Sequence, residues 1–234
     1  MKVTLFTSNQ PRHVALINRL AEVCDLTAYV ETTTGASTGY HISYDSNEKC
    51  EYFGWVGQAE AAVFPREFIS GAKVEARKMG DLPSRVPQAD RFIVSGASWI
   101  KGLLCDQLIE GKAVNVHAGI APQYRGSSCN FWALYDGNPE FVGATTHMLT
   151  KGLDNGDICW LSRPDKPIDN PFEFTMRAVK AAHDDLVDWV STGAAPQRTY
   201  KQDLADEIRY TKAVDFTDEI CGEYVRLLKE GVYS

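Results

Sequence analysis

No stretch of about 18 consecutive apolar residues, the least that a membrane-spanning helix needs, occurs in the 234-residue chain. The opening MKVTLFTSNQPRH holds too short an apolar segment for a secretory signal. Closely spaced cysteines are also missing. Cys24, Cys50, Cys105, Cys129, Cys159 and Cys221 stand singly, which excludes a CxxC redox motif and a zinc ribbon. Scattered cysteines read as small buried hydrophobes in a reducing compartment. A basic surplus is lacking too: Lys+Arg number 24 and Asp+Glu 31, a formal net charge of −7. Chains that grip phosphate backbones are normally basic. The expectation is therefore a cytoplasmic, single-core protein with no metal, no membrane and no nucleic-acid partner. With 44% hydrophobic and 24% charged residues, a packed core is available and wholesale disorder is excluded.

What is present is an alternation of short apolar runs and amphipathic stretches. Val3 to Phe6 reads as a buried strand ending at Thr7-Ser8-Asn9-Gln10. Pro11 suits a first helical position, and Leu16, Leu20 and Val23 recur on one stripe. Leu26 to Val30 returns as a strand, completing a βαβ unit of a parallel sheet. The polar segment from Thr32 to Asn47 reads as a long loop, either a lid or a simple connection, and Glu48 to Glu67 as a helix. Phe92 to Ser95 is a third buried strand, Leu103 to Ile109 a helix, and Val114 to His117 a fourth strand. Ala118 to Ser128 is a loop, followed by a helix starting at Phe131 and a strand from Val142 to Leu149. A turn over Leu153 to Asp157 leads to a strand from Ile158 to Leu161. Phe172 to Val190 and Thr217 to Glu230 are the last helices, the second capped by Thr217. The pattern predicts an α/β fold: a Rossmann-like, mostly parallel sheet flanked by helices. Residues 1–199 form the main domain and residues 200–234 a short helical C-terminal extension, packed on the domain or on a dimer partner.

Two segments concentrate polar groups where such a sheet presents its ligand site. In Val114-Asn115-Val116-His117, Asn115 and His117 are two apart and share a face at the strand's carboxyl end. Lys151-Gly152-Leu153-Asp154-Asn155-Gly156-Asp157 is a turn able to lift one carboxylate over the sheet edge. An amide can donate to a developing oxyanion, an imidazole moves protons near neutral pH, and a carboxylate orients the imidazole.

These residues, with Pro122 and Tyr124-Arg125-Gly126 between them, resemble the signature of the folate-dependent formyltransferases. The family includes methionyl-tRNA, glycinamide ribonucleotide and nucleotide-sugar N-formyltransferases. The resemblance runs from about Val3 to Leu161 and is densest between Phe92 and Ile158. It implies 10-formyltetrahydrofolate as formyl donor, no metal, and a catalytic trio of Asn115, His117 and Asp154. It further implies a pterin site between Gly96-Ala97-Ser98-Trp99-Ile100 and Thr150-Lys151-Gly152-Leu153, with Gly96, Trp99, Ile100, Thr150, Lys151 and Asp154 as cofactor contacts. The family more often has an aliphatic residue and proline where this chain has Trp99-Ile100.

The loop after the first strand lacks the glycines of a phosphate nest, which disfavours the ribonucleotide branch. The acidic charge and the short tail disfavour methionyl-tRNA. The nucleotide-sugar branch is the better likeness: a nucleotide-linked amino-deoxysugar as acceptor, a homodimer, and Arg12, His13, Tyr124 and Arg125 as substrate contacts, with Arg12 near a helix amino terminus that favours anions. Formylation of another amine, or a binding module without catalysis, are the rival readings. His147 reads as a satisfied structural histidine and His183 as a core histidine. Tyr124 and Arg125 serve equally well as braces of their loop.

Overall fold

The computed structural model describes residues 1–32, 46–165, 168–193 and 199–231; the segment expected as a lid or loop falls almost wholly outside them. Among the described residues, nine strands and six α-helices follow in chain order: β1 (Lys2–Ser8), α1 (Pro11–Val23), β2 (Asp25–Thr32), α2 (Asn47–Val63), β3 (Lys73–Lys78), β4 (Arg91–Ser95), α3 (Gly102–Glu110), β5 (Val114–His117), β6 (Tyr124–Gly126), α4 (Cys129–Tyr135), β7 (Ala144–Met148), β8 (Ile158–Ser162), α5 (Pro171–Thr192), β9 (Arg209–Thr211) and α6 (Asp218–Lys229). Seven strands form one sheet in the order β3-β2-β1-β4-β5-β7-β8. The strands from β3 to β5 run parallel, while β7 and β8 are antiparallel additions. The mostly parallel α/β sheet expected from the alternation is what forms.

The order turns at β1. From there the chain first builds outward through β2 and β3, then crosses to β4 on the other side. Such a switch point opens a crevice at the carboxyl ends of the strands. Leu16, Ile17 and Leu20 of α1 pack with Leu186 and Val190 of α5 against Val3, Leu5 and Ile93. Phe92, Val94, Leu104 and Leu108 form the core under α3. An aromatic cluster of Tyr52, Phe131, Trp132, Phe172 and Tyr224 ties α2, α4, α5 and α6 together. Asn170 caps α5 and Thr217 caps α6 by accepting from backbone amides.

Several expectations need correction. The strand Arg91–Ser95 is the fourth, not the third, because Lys73–Lys78 is also a strand. Its sequence KVEARK is charged and mostly exposed, so no burial pattern marks it; β2 alone holds it through backbone pairing. Helix α2 ends at Val63 rather than Glu67, since Pro65 follows. Part of the loop after β5 is also a strand: β6 pairs in parallel with β9. Tyr200 bridges to Ile158, so the segment beyond residue 199 is stitched to the rest of the chain by backbone hydrogen bonds as well as by α6.

Candidate active site

Asn115 and His117 project from the carboxyl end of β5, and antiparallel pairing sets His147 of β7 directly opposite Asn115. An irregularity in the register at Thr146/His147 re-aims that side chain, as bulges beside functional sites do. The turn after β7 brings Asp154 back over the strand ends. Asp154 Oδ2 lies 3.3 Å from His117 Nδ1 and accepts from the Gly126 amide at 3.3 Å. His117 Nε2 lies 3.0 Å from the Tyr124 carbonyl. Asn115 Nδ2 donates to His147 Nε2 at 3.0 Å and to Asp154 Oδ1 at 3.4 Å. His147 Nδ1 donates to the Met148 carbonyl at 2.9 Å.

The partners fix the protons. His147 is satisfied as a neutral ring with its hydrogen on Nδ1, since Nε2 accepts from Asn115. It is the structural histidine the sequence suggests, yet it sits inside the cluster. Both hydrogens of the Asn115 amide are consumed, so the atom it leaves free among the described residues is Oδ1. His117 is different. Oxygens face both of its nitrogens, and a neutral ring carries only one hydrogen. Burial nevertheless holds its pKa below the ordinary imidazole value, only partly offset by Asp154 and the Tyr124 carbonyl. At Asp154, burial pushes the carboxyl up, but the neighbouring rings of His117 and His147 and the Gly126 amide bring it net below the ordinary carboxylate range. The resting pair is thus neutral imidazole beside carboxylate, with two oxygens already placed for the imidazolium that forms when the ring takes up a proton.

Two cavities meet at this cluster. The larger, about 460 Å³, runs along the strand ends past Gly96, Ile100, Thr150 and Asp154. The smaller, about 270 Å³, lies toward Tyr52, Asn130 and Thr175. Arg12, His117, Ala118 and Gly126 line both. Buried Glu31 orders the rim of the larger one, accepting from the Ser98 amide at 2.5 Å, the Ser98 hydroxyl at 2.7 Å and the Gly80 amide at 2.6 Å. Gly96 has φ +73, and a Cβ there would lie 2.1 Å from His13 Cε1, so the loop requires glycine at this point. Gly96, Trp99, Ile100, Thr150 and Asp154 all line the larger cavity. Lys151 does not; its ammonium pairs with Asp106 at 2.7 Å.

The four expected substrate contacts divide. His13 lines the cleft with Nδ1 2.6 Å from the Ser8 hydroxyl. Arg12 also lines it, but its guanidinium meets Glu60 Oε1 at 2.7 Å. The same carboxylate takes the Arg12 backbone amide at 3.2 Å. The anion at the amino terminus of α1 is therefore the chain's own Glu60. Tyr124 is fully buried, with its hydroxyl between Asp136 and Asn138, and contributes its carbonyl rather than its ring. Arg125 is engaged by Glu207 at 2.7 Å and by the Leu153 carbonyl at 2.9 Å. Neither Tyr124 nor Arg125 lines either of the two cavities; the contacts both make are those of braces of their loop. His183 is 1% exposed, lines the larger cavity, and has no hydrogen-bond partner for either nitrogen among the described residues. Cys129 is buried beside the cluster, and burial pushes its thiol pKa up, away from nucleophilic use.

Glu31, Glu60, Gln202 and the placement of His147 escape a reading of the sequence. Only His147 has an accessible signal: an antiparallel partner of β5 puts a side chain opposite Asn115.

A family model described as Formyl transferase matches residues 88–189. The chain is similar to the methionyl-tRNA formyltransferase of Lachnospira eligens, 46% identical over 50 residues, covering 21% of this chain and 16% of that one. The chain thus spans less than a fifth of that relative's length. In fold it is similar to a 4-N formyltransferase from Francisella tularensis, with 14% identity, TM-score 0.59, and coverage of 92% of this chain and 77% of that one. It is also similar to an N-formyltransferase from Helicobacter canadensis in complex with folinic acid and dTDP-3-aminofucose, with 11% identity, TM-score 0.56, and coverage of 95% and 79%. The matched residues run from β4 into α5 and include Asn115, His117, His147 and Asp154; over this segment, which holds the whole cluster, the chain is similar to the formyl transferases, and its fold is theirs.

Proposed function

We propose that the protein transfers a formyl group from 10-formyltetrahydrofolate to the amine of a nucleotide-linked amino-deoxysugar. The observation that carries the reading is the meeting of two cavities at His117: a transfer between two bound molecules needs adjoining compartments with the proton-handling group between them. The larger compartment is of a size that suits a pterin, with Ile100 and Gly96 on one side and Thr150 and Leu153 on the other.

In this reading the amine nitrogen bonds to the formyl carbon, the bond from that carbon to the folate nitrogen breaks, and one proton moves from the incoming nitrogen to the departing one. Asn115 Oδ1 accepts a hydrogen bond from the attacking amine. His117 takes up the proton, stabilised as imidazolium by Asp154 and the Tyr124 carbonyl, and returns it to the leaving nitrogen. The dTDP-3-aminofucose held by the Helicobacter canadensis protein supports an amino-sugar acceptor. Glu60 supports it too, because it fills the helix terminus where a ribonucleotide phosphate would otherwise be drawn. The net charge of −7 weighs against charged tRNA.

The test is incubation with 10-formyltetrahydrofolate and a panel of acceptors, read by mass spectrometry. The panel holds thymidine-, uridine- and guanosine-diphosphate amino sugars, a phosphoribosyl amine and methionyl-tRNA. Formylation of an amino-sugar nucleotide is expected. Transfer only to the ribosyl amine or to tRNA overturns the acceptor assignment, and no transfer to any overturns the activity.

A further inference from the structure

Asp154 has φ +48, in the left-handed region that a residue with a Cβ adopts only when its surroundings hold it there. What holds it lies largely outside residues 88–189. Gln202 spends both hydrogens of its amide on the turn, donating to the Asp154 carbonyl at 2.9 Å and to the Gly156 carbonyl at 2.8 Å. The next carbonyl back, that of Leu153, accepts from Arg125 Nη2 at 2.9 Å. The other end of that guanidinium is held by Glu207 at 2.7 Å. Three carbonyls of one turn are thus gripped by two side chains, one in the C-terminal segment and one tethered to it. The segment is itself fixed to the sheet: Ile208 and Arg209 donate to the Gln123 carbonyl at 2.9 Å each, and β9 runs beside β6. The Gly126 amide, which reaches Asp154 Oδ2, belongs to that same β6. A Cβ on Gly126 would stand 1.9 Å from the Thr211 carbonyl oxygen, so the two strands are in close contact.

We propose that residues 200–211 form a clamp on the Asp154 turn, with Gln202 and the Arg125–Glu207 pair as positioning residues that keep the Asp154 carboxylate against His117. The placement stands on geometry alone; its effect on turnover rests on the function proposed above. Free of the clamp, the turn relaxes toward ordinary backbone angles and the carboxylate withdraws from the ring. Asp154 is the only carboxylate paired with His117 among the described residues, and it raises the ring's pKa against burial, His147 and Arg125. Loss of the contact therefore lowers the His117 titration midpoint.

The experiment uses the full chain with Gln202→Leu, Gln202→Glu and Glu207→Gln, and Asp154→Asn as reference. Ring-nitrogen NMR titration follows His117, hydrogen exchange follows residues 152–157, and thermal melts check the fold. In folded Gln202 variants the His117 midpoint should move down, part of the way to that of Asp154→Asn, and exchange across the turn should quicken about tenfold or more. Formyl transfer should fall about 10²-fold in kcat, the scale of a 1 Å misplacement, with little change in KM for the folate. Wild-type midpoint and wild-type exchange in a folded variant overturn the clamp. If Gln202→Leu does not fold, Glu207→Gln carries the same test through Arg125. If the wild-type chain transfers no formyl group while the midpoint still moves, the clamp stands and the functional reading falls.

Discussion

Around His117, oxygens crowd both ring nitrogens. Around His183, at the α1–α5 end of the same cleft, neither ring nitrogen meets a partner among the described residues. The difference lies in the company each ring keeps. Asp154 and the Tyr124 carbonyl offer a place for a positive charge. At the other end the neighbours are Arg12, Arg19 and Lys180, and burial with their charge drives the His183 pKa down to about 3. Their own carboxylates, Glu60 and Asp184, are already committed to them. One end of the cleft is arranged to accept a proton and the other to refuse it. Imidazole basicity here is set by neighbours rather than by residue type.

The comparison breaks most sharply at His117. In the proposed reaction, replacement by Asn removes the proton acceptor and should cost about 10³ in the single-turnover rate of formyl transfer, with the fold retained by circular dichroism. In the wild type the rate should fall in acid only below the ordinary imidazole pKa, because the active neutral ring persists to lower pH; a midpoint above the ordinary value would contradict a neutral resting ring. Next comes Glu60→Gln. Removing one partner of a buried pair destabilises by about 3 kcal/mol, the low end of the range, since the Arg12 side chain is 20% exposed. It also frees the terminus of α1, so inorganic phosphate should raise the melting temperature of the variant and not of the wild type. The smallest effect at neutral pH is at His183. Its folded pKa is depressed, so the unfolded chain binds a proton that the folded chain refuses. Stability is then lost as pH falls from the ordinary imidazole value of 6.5 toward about 3, by up to about 1.4 kcal/mol per pH unit. His183→Leu should remove that slope in denaturant titrations at a series of pH values; an unchanged slope would show that the ring is not the source.

The contrast also separates what sequence alone can tell from what it cannot. β5 and the Asp154 turn are legible because apolar runs and glycine-bounded turns are local signals, and the spacing of Asn115 and His117 fixes their common face. The use of the Asn115 amide is not, because it depends on His147 arriving 32 residues later in an antiparallel strand. Arg12 reads as a cation awaiting an anion because Glu60 sits 48 residues away. Gln202 reads as one polar residue among many in a polar tail. Buried ionic and amide contacts of this kind are pairwise and long-range, and nothing in composition or periodicity records them. The three-residue strands β6 and β9 fail for another reason, being too short to show any alternation.

Among the described residues, β3 ends the sheet. Lys73, Glu75, Arg77 and Lys78 stand within its six positions. An open row of peptide groups invites another chain to dock strand upon strand, and bristling an outermost strand with charge makes that contact costly. The stretch that periodicity could not detect thus serves as a guard against fibre-like self-association, and neutralising those charges should surrender solubility well before it touches the chemistry at the far end of the sheet.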